Sequence, residues 1–388
     1  MLFIEVSCMI ARFLPTLLLT LSTPLLAASN PFEGSELYLD SNYAAHIEES
    51  IQRSPERASA LEPLKSVGTA VWMDTISHIA LAETALERAR EQQNSSGKPV
   101  IVTTVVYNLP ERDCAAKASN GELTAAANGM EIYKRQYIDR IAELFDKYSD
   151  LHIAAVIEPD SLPNLVTNMG VDKCAKAAPL YREGVEYALR KLQANHIALY
   201  LDIGHGGWLG WPNNRESAAR VFKEVVDRAG GSGVIRGFAT NVANYSPTYA
   251  PANDTHSAAY YDWNPAIDEM TFVRLMQENL KNEGFNDVHF LIDTGRNGNP
   301  YARKSWKNWC NIRDAGLGQR PQIAPAEGVD AFLWIKPPGE SDGTADPAAP
   351  RFDASCVSED SHLGSPEAGV WNHEHLLRML DYADSSWH

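Results

Sequence analysis

The sequence predicts an α/β fold in which seven parallel strands, alternating with helices, close into a barrel. Three observations predict it. Seven short β-rich runs recur along the 388 residues, most of them apolar throughout, as strands covered on both faces must be. Segments of helical period separate them, which is the pattern of parallel βα units. Polar residues then fall at or just after the C-terminal end of every run: Asp74, Asp113, Asp160, Asp202, His205, Asn241, Asn244, Asp293, Lys336, Glu340 and Asp342. In a barrel those ends converge on one mouth, where active sites lie. An open sheet gathers its ligand near a single switch point, and contributions from every strand do not fit that.

Taken in order, residues 1–28 come first. An apolar stretch over 13–28 follows Arg12 and ends in small residues. This is a secretory signal pattern, too short and too broken by proline to span a membrane as a mature helix. Residues 29–388 are read as one catalytic domain, soluble, exported and monomeric, with no internal repeat or linker. No separate binding module is therefore expected. Its strands are read at residues 69–73, 100–107, 152–157, 197–202, 235–240, 288–293 and 331–335. Helices are read at 130–148, with Ile132, Tyr133, Ile138, Ile141, Leu144 and Phe145 on one stripe, and at 180–192, with Pro179 at its first turn. Further helical periods lie at 218–226, 267–280 and 376–382.

Two connections, 110–128 and 337–371, exceed the roughly 12–15 residues of an ordinary loop, which marks them as functional lids. Each contains one cysteine. Of five cysteines, Cys8 leaves with the signal; the remaining four, Cys114, Cys174, Cys310 and Cys356, allow two disulfides in three connectivities. Pinning each lid to a βα loop is the economical pairing, Cys114–Cys174 and Cys310–Cys356. No CxxC pair exists, so a zinc site is not expected. Asn94-Ser95-Ser96 and Asn253-Asp254-Thr255 are glycan acceptor sequences for a eukaryotic host.

Composition narrows the partners. With 44% hydrophobic and 22% charged residues the chain is neither disordered nor coiled coil. A net charge of −16 excludes a nucleic-acid footprint and a polybasic membrane surface, and suits a neutral or cationic partner.

Asp113 and Asp160 each follow a buried strand closely. Cutting a glycosidic bond needs two carboxyl groups about the scissile atom, one protonated and one charged. Neighbouring acids cannot both ionise cheaply, so one keeps its proton to higher pH. A single such Asp is more often a turn residue; carboxylates repeated over several strand ends point to catalysis. Trp72, Trp208, Trp211 and Trp309 lie beside strand ends, two of them inside the glycine-rich string at 204–211. Flat apolar rings beside carboxylates and amides suit a pyranose, which has apolar faces and a hydroxyl rim. Trp263, Trp306 and Trp371 are read as ordinary core residues.

Several segments carry a closer likeness. Tyr107-Asn108-Leu109-Pro110-Glu111-Arg112-Asp113-Cys114, Glu158-Pro159-Asp160-Ser161-Leu162, Leu201-Asp202-Ile203-Gly204-His205-Gly206-Gly207-Trp208, Thr240-Asn241-Val242-Ala243-Asn244-Tyr245 and Trp334-Ile335-Lys336-Pro337 resemble the signatures of glycoside hydrolase family 6, the inverting cellulases. The likeness runs from about Asn30 to the C-terminus. It implies a distorted seven-stranded parallel barrel whose active site lies in a loop-covered tunnel or cleft. It implies Asp160 as general acid, Asp113 as the neighbour that raises its pKa and relays a proton, and Asp342 as the proposed base, or water activated through a chain involving Ser119. Tyr107 would sit by the distorted sugar, Arg112 would hold a carboxylate, and Asp202 would be a supporting carboxylate. Trp72, Asp74, Trp309, Lys336 and Glu340 resemble non-reducing-side subsites; His205, Trp208, Asn244 and, further out, Trp211 resemble reducing-side ones. The family's cysteine pairing is the one given above, and no cofactor or metal is implied. Pro338, Ser341 and Lys117 depart from the common pattern.

The activity implied is secreted 1,4-β-glucan cellobiohydrolase, acting with inversion on cellulose and cello-oligosaccharides from non-reducing ends. Two long lids favour this over an endo-β-1,4-glucanase. A glucan-binding protein without catalysis would have no need of the three aspartates, and a metal-dependent hydrolase would need histidines at ligand spacing.

Overall fold

The computed structural model describes residues 29–251 and 263–387. The expected signal segment and the sequon at Asn253 lie outside the described residues. The strands are β1 (Glu36–Leu37), β2 (Val71–Met73), β3 (Val100–Val106), β4 (His152–Ile157), β5 (Ile197–Asp202), β6 (Gly237–Thr240), β7 (His289–Asp293), β8 (Gln322–Ala326) and β9 (Val329–Leu333). They form one sheet in the order β1-β3-β4-β5-β6-β7-β9-β8, with β2 also on β3. Every pairing is parallel except β8 with β9. β1 takes the start of β3's edge and β2 its end. One bridge between Thr69 and Trp334 closes the curled wall, with the Ala70 N–H 3.1 Å from the Trp334 carbonyl.

The seven expected strands are β2 to β7 and β9. β1 is too short to carry a pattern, and β8 is an antiparallel edge strand interrupted by Pro325, which only an edge tolerates. The run read at 331–335 is paired only as Val329–Leu333. Beyond Leu333 the backbone leaves the ladder, because the Ile335 and Lys336 N–H groups donate to the Asp293 carboxylate at 3.2 and 2.9 Å.

Alternation along each strand explains why the runs are apolar throughout. Ile101, Val105, Ala154, Val156, Tyr200, Leu291 and Ala331 fill one buried cluster, the barrel interior. Val100, Val102, Val106, Ile153, Ala155, Ile157 and Leu201 join the larger cluster shared with the helices.

The stretch read as one helix over 130–148 contains a π turn, Tyr133–Ile138, between Gly129–Ile132 and Asp139–Lys147. The helix read at 180–192 is Asp172–Lys191, with Pro179 in its interior rather than its first turn. Burial of Cys174, Ala177 and Ala178 against the core offsets the N–H that proline lacks there. Pro212–Ala229, Glu269–Asn282 and His373–Asp381 supply the remaining helices expected from periodicity. Both disulfides form as paired above, Cys114–Cys174 and Cys310–Cys356. Among the described residues no helix is long and apolar enough to cross a membrane.

Three tryptophans depart from the core assignment. Trp263 is 95% exposed, Trp306 lines the main cavity, and Trp371 is half-buried, its ring stacked 4.8 Å from His46. The fully buried tryptophan is Trp334, which the apolar run had absorbed into a strand.

Candidate active site

A cavity of about 1010 Å³ opens at the C-terminal strand ends and is lined by both lids. Backbone conformation re-aims the side chains there. Among the described residues, six of the ten non-glycine residues with positive φ are Glu111, Asp113, Glu158, Asp160, Asn241 and Ala243, all just after β3, β4 or β6. Each such conformation costs about 1 kcal/mol or more, and the costs are concentrated at the mouth. Asp160 (φ 64°) occupies the cap position of helix Ser161–Thr167 but makes no capping hydrogen bond. Its carboxyl lines the cavity instead.

Asp113, Asp160 and Asp202 arrive from three successive strand ends. Burial, with the charges of Asp113 and Asp202, holds the Asp160 carboxyl well above the ordinary carboxylate range. Burial pushes Asp113 up to about 6, against the opposing Arg112 charge and a Ser119 hydrogen bond. Burial likewise pushes Asp202 up to about 7. Asp202 does not line the cavity. It sits behind Asp160, accepting the N–H groups of Asp160 and Gly204 at 3.0 and 3.2 Å. The Tyr107 hydroxyl lies 3.5 Å from the Asp113 carboxylate. A group that keeps its proton thus stands beside one that releases it near pH 6, which is what acid-assisted bond cleavage requires.

Asp342 lines the same cavity, yet both its oxygens are occupied. Oδ1 accepts from Arg296 Nη1 at 2.7 Å, and Oδ2 accepts from the Tyr245 hydroxyl at 2.5 Å and the Asn311 N–H at 2.8 Å. Arg296 is itself 2% exposed, so the two form a buried ion pair. Ser341 anchors this segment, its hydroxyl donating to the Pro366 carbonyl at 2.7 Å.

On one flank, Trp72 donates its indole N–H to the Ile335 carbonyl at 2.8 Å and stands edge-on to Tyr107. Lys336 lies 5.1 Å over the Trp72 ring and pairs with Glu340 at 2.9 Å. Asp74 is bonded to His78, which also lines the cavity. Trp309 lines it too. On the other flank, His205 meets Asn244 at 2.9 Å, and the Trp208 indole donates to Thr167 at 2.7 Å. Burial, with the nearby Arg303 charge, keeps His205 neutral by lowering its pKa well below the usual value. Trp211 does not line the cavity; it packs on Trp306, ring centroids 4.9 Å apart. Arg112 was expected to hold a carboxylate. Its guanidinium instead grips the carbonyls of Asp74 and Tyr107 at 2.6 Å and of Ser119 at 2.9 Å, and covers the Tyr107 ring.

The lids meet each other. Asp353 Oδ2 in the second accepts the N–H groups of Lys117 and Ala118 in the first, at 2.7 and 3.1 Å. This bond links Lys117 through its backbone, so its departure from the common pattern leaves the lid contact intact.

Four buried residues were given no role by the sequence, although Asp293 was named among the strand-end polar residues. Glu158, Glu269, Asp293 and Arg296 are buried at the mouth, and each of the three carboxylates accepts backbone N–H groups from neighbouring loops. Placement at or just after a strand end was a usable signal for Glu158, Asp293 and Arg296, whereas Glu269 opens the helix Glu269–Asn282; their partners were not visible. Burial raises Glu158, Asp202 and Glu269 to about 7 and Asp113 and Asp293 to about 6. The folded chain therefore keeps protons that the unfolded chain releases, and stability falls as pH rises through these values. Buried His205, His373 and His375 and half-buried His362 oppose this only where unfolded histidine is protonated, below about pH 6.5–7. Scanning calorimetry is expected to show Tm falling by about 2–4 °C between pH 7 and 8.5. A rise over that interval would contradict the assignment of raised carboxyls.

Comparison with known proteins agrees with this geometry. A family model described as Glycosyl hydrolases family 6 matches residues 32–383. The 1,4-beta-D-glucan cellobiohydrolase C of Emericella nidulans is 42% identical over 369 residues, spanning 93% of this chain and 80% of that protein. A putative endoglucanase type B of Fusarium oxysporum is 40% identical over 365 residues, spanning 93% and 77%. Among solved structures, cellobiohydrolase II (Cel6A) from Humicola insolens, in complex with glucose and cellotetraose, is 41% identical with a TM-score of 0.86, covering 91% of this chain and 99% of that one. With that match running across nearly all of the described fold, the chain belongs to the glycosyl hydrolases family 6.

Proposed function

We propose that this chain is a secreted, inverting 1,4-β-glucan cellobiohydrolase that releases cellobiose from the non-reducing ends of cellulose. One observation supports the exo-acting reading: the acids lie in a cavity lined by two disulfide-pinned lids that meet at Asp353. An enclosed passage threads a chain end more readily than it admits the middle of a polymer.

In this reading Asp160 protonates the leaving glycosidic oxygen, since burial and two acidic neighbours preserve its proton at neutral pH. Water attacks the anomeric carbon from the opposite face, and its proton passes through Ser119 toward Asp113, which ionises near pH 6. Asp342 serves by balancing the buried Arg296 charge, because three donors already occupy its two oxygens and leave none turned to the attacking water. Trp72, Asp74, Trp309, Lys336 and Glu340 take the non-reducing sugars; His205, Trp208 and Asn244 take the reducing side, with Trp211 beyond the cavity. Tyr107 contacts the sugar between them. The protein acts as a monomer and needs no cofactor.

A proton NMR time course on cellohexaose tests the reading. Fresh α-anomer with cellobiose dominating is the expected result. α-Anomer with cellotriose and longer products would move the activity to the endoglucanase named for the Fusarium relative. Binding without turnover would leave only a glucan-binding protein.

A further inference from the structure

The ladder between β3 and β4 ends at the pair Val106–Ile157. The next residues of both strands lead directly to the acids, Asn108 and Leu109 toward Asp113, and Glu158 toward Asp160. The Glu158 side chain turns back across this gap. Its Oε1 accepts the Asn108 N–H at 3.1 Å and its Oε2 the Leu109 N–H at 3.3 Å. A third donor, the Tyr133 hydroxyl, reaches Oε1 at 2.8 Å. The carboxylate therefore continues the sheet's hydrogen bonding for two residues where the backbone has stopped.

Tyr133 stands on the π turn, and Tyr137 of the same turn serves the adjacent junction. Its hydroxyl donates to the Met73 carbonyl at the end of β2 and accepts the Tyr107 N–H at 2.9 Å. One turn of wide helix thus braces the ends of β2, β3 and β4 together. π turns inserted in α-helices occur frequently at functional sites. Glu158 is 1% exposed and does not line the cavity, so it cannot touch a substrate. Burying a carboxylate is costly unless its donors matter.

We propose that Glu158, locked by Tyr133, is a positioning residue that sets the separation of Asp113 and Asp160. The proposal rests on the hydrolytic reading above. Asp160 depends on Asp113 for part of its retained proton, so a change of separation alters both reach and proton affinity.

The test uses Glu158→Gln and Tyr133→Phe in the full secreted chain, with kcat and KM for cellotetraose measured from pH 4 to 8. Glutamine keeps the volume but turns an amide N–H₂ toward one of the backbone donors. E158Q is expected to lower kcat by about 10- to 100-fold, leave KM within about threefold, and shift the pH profile. A 2,4-dinitrophenyl cello-oligoside, whose leaving group needs no protonation, should lose less activity in E158Q than cellotetraose does. Y133F should move the same quantities in the same direction by a smaller factor, and it carries the test alone if E158Q does not fold. An unchanged kcat and pH profile in the folded variants would overturn the proposal. So would an equal loss on both substrates with the pH profile unmoved. Inactivity of the wild-type chain on cellotetraose would instead overturn the functional reading and the proposal with it.

Discussion

Replacing Asp160 by asparagine is expected to lower turnover of cellotetraose by about 10²- to 10⁴-fold while oligosaccharide binding survives. The expectation follows from what the side chain does and does not hold. It makes no capping bond to its helix, so asparagine disturbs no backbone partner. It sits between Asp113 and Asp202, whose charges keep it protonated, and asparagine carries neither the charge nor a transferable proton. The same substitution removes a group that burial penalises when it ionises, so Tm at pH 7 should rise rather than fall. Calorimetric titration with cellotetraose, beside a turnover assay, separates the two effects. Near-normal hydrolysis by D160N would sink the mechanism, and loss of both binding and Tm would show that Asp160 is a structural residue.

Replacing Asp353 by alanine is expected to convert an exo-acting product pattern into a mixed one. The Asp353 carboxylate is the acceptor for the Lys117 and Ala118 N–H groups, the hydrogen-bonded link between the lids. Without it those donors turn to water and the first lid is free to lift, so polymer can enter sideways. Viscosity loss of carboxymethyl cellulose, which reports internal cuts, should accelerate on the order of tenfold. The Asp353 charge also raises the Asp113 pKa, so the acid limb of the pH profile should move to lower pH in the variant. Replacing Cys310 and Cys356 by serine tests the other anchor of the second lid. Opening that loop of 46 residues should cost about 4 kcal/mol by chain entropy, and should loosen the lid without touching Asp353. An unchanged product pattern in both variants would mean that the lids do not determine the mode of attack.

Asp342 illustrates how far residue type carries and where it stops. An aspartate after the last barrel strand is a fair candidate for a base. The structure surrounds it with Arg296 from after β7, Tyr245 from after β6 and Asn311 from the segment before β8, none adjacent in sequence. Arg112 shows the same limit: its charge suggested a carboxylate partner, but its loop folds back so that nearby carbonyls claim the guanidinium. Glu158 lay within a quoted motif and went unassigned because its donors come from the segment just after β3 and from a π turn that a regular 3.6-residue period does not reveal.

Read from the chain alone were the alternation of buried strands with amphipathic helices, the strand ends where chemistry gathers, and the two long lids, each with its cysteine. These are encoded locally, in runs of apolar residues, in period and in spacing. Only the tertiary structure decided which carboxyl keeps its proton, which is spent on holding backbone, that the lids touch, and that Trp211 stands outside the cavity while Trp306 lines it. Proton affinity and hydrogen-bond partnership depend on burial and on neighbours delivered by other strands, and the chain order carries neither.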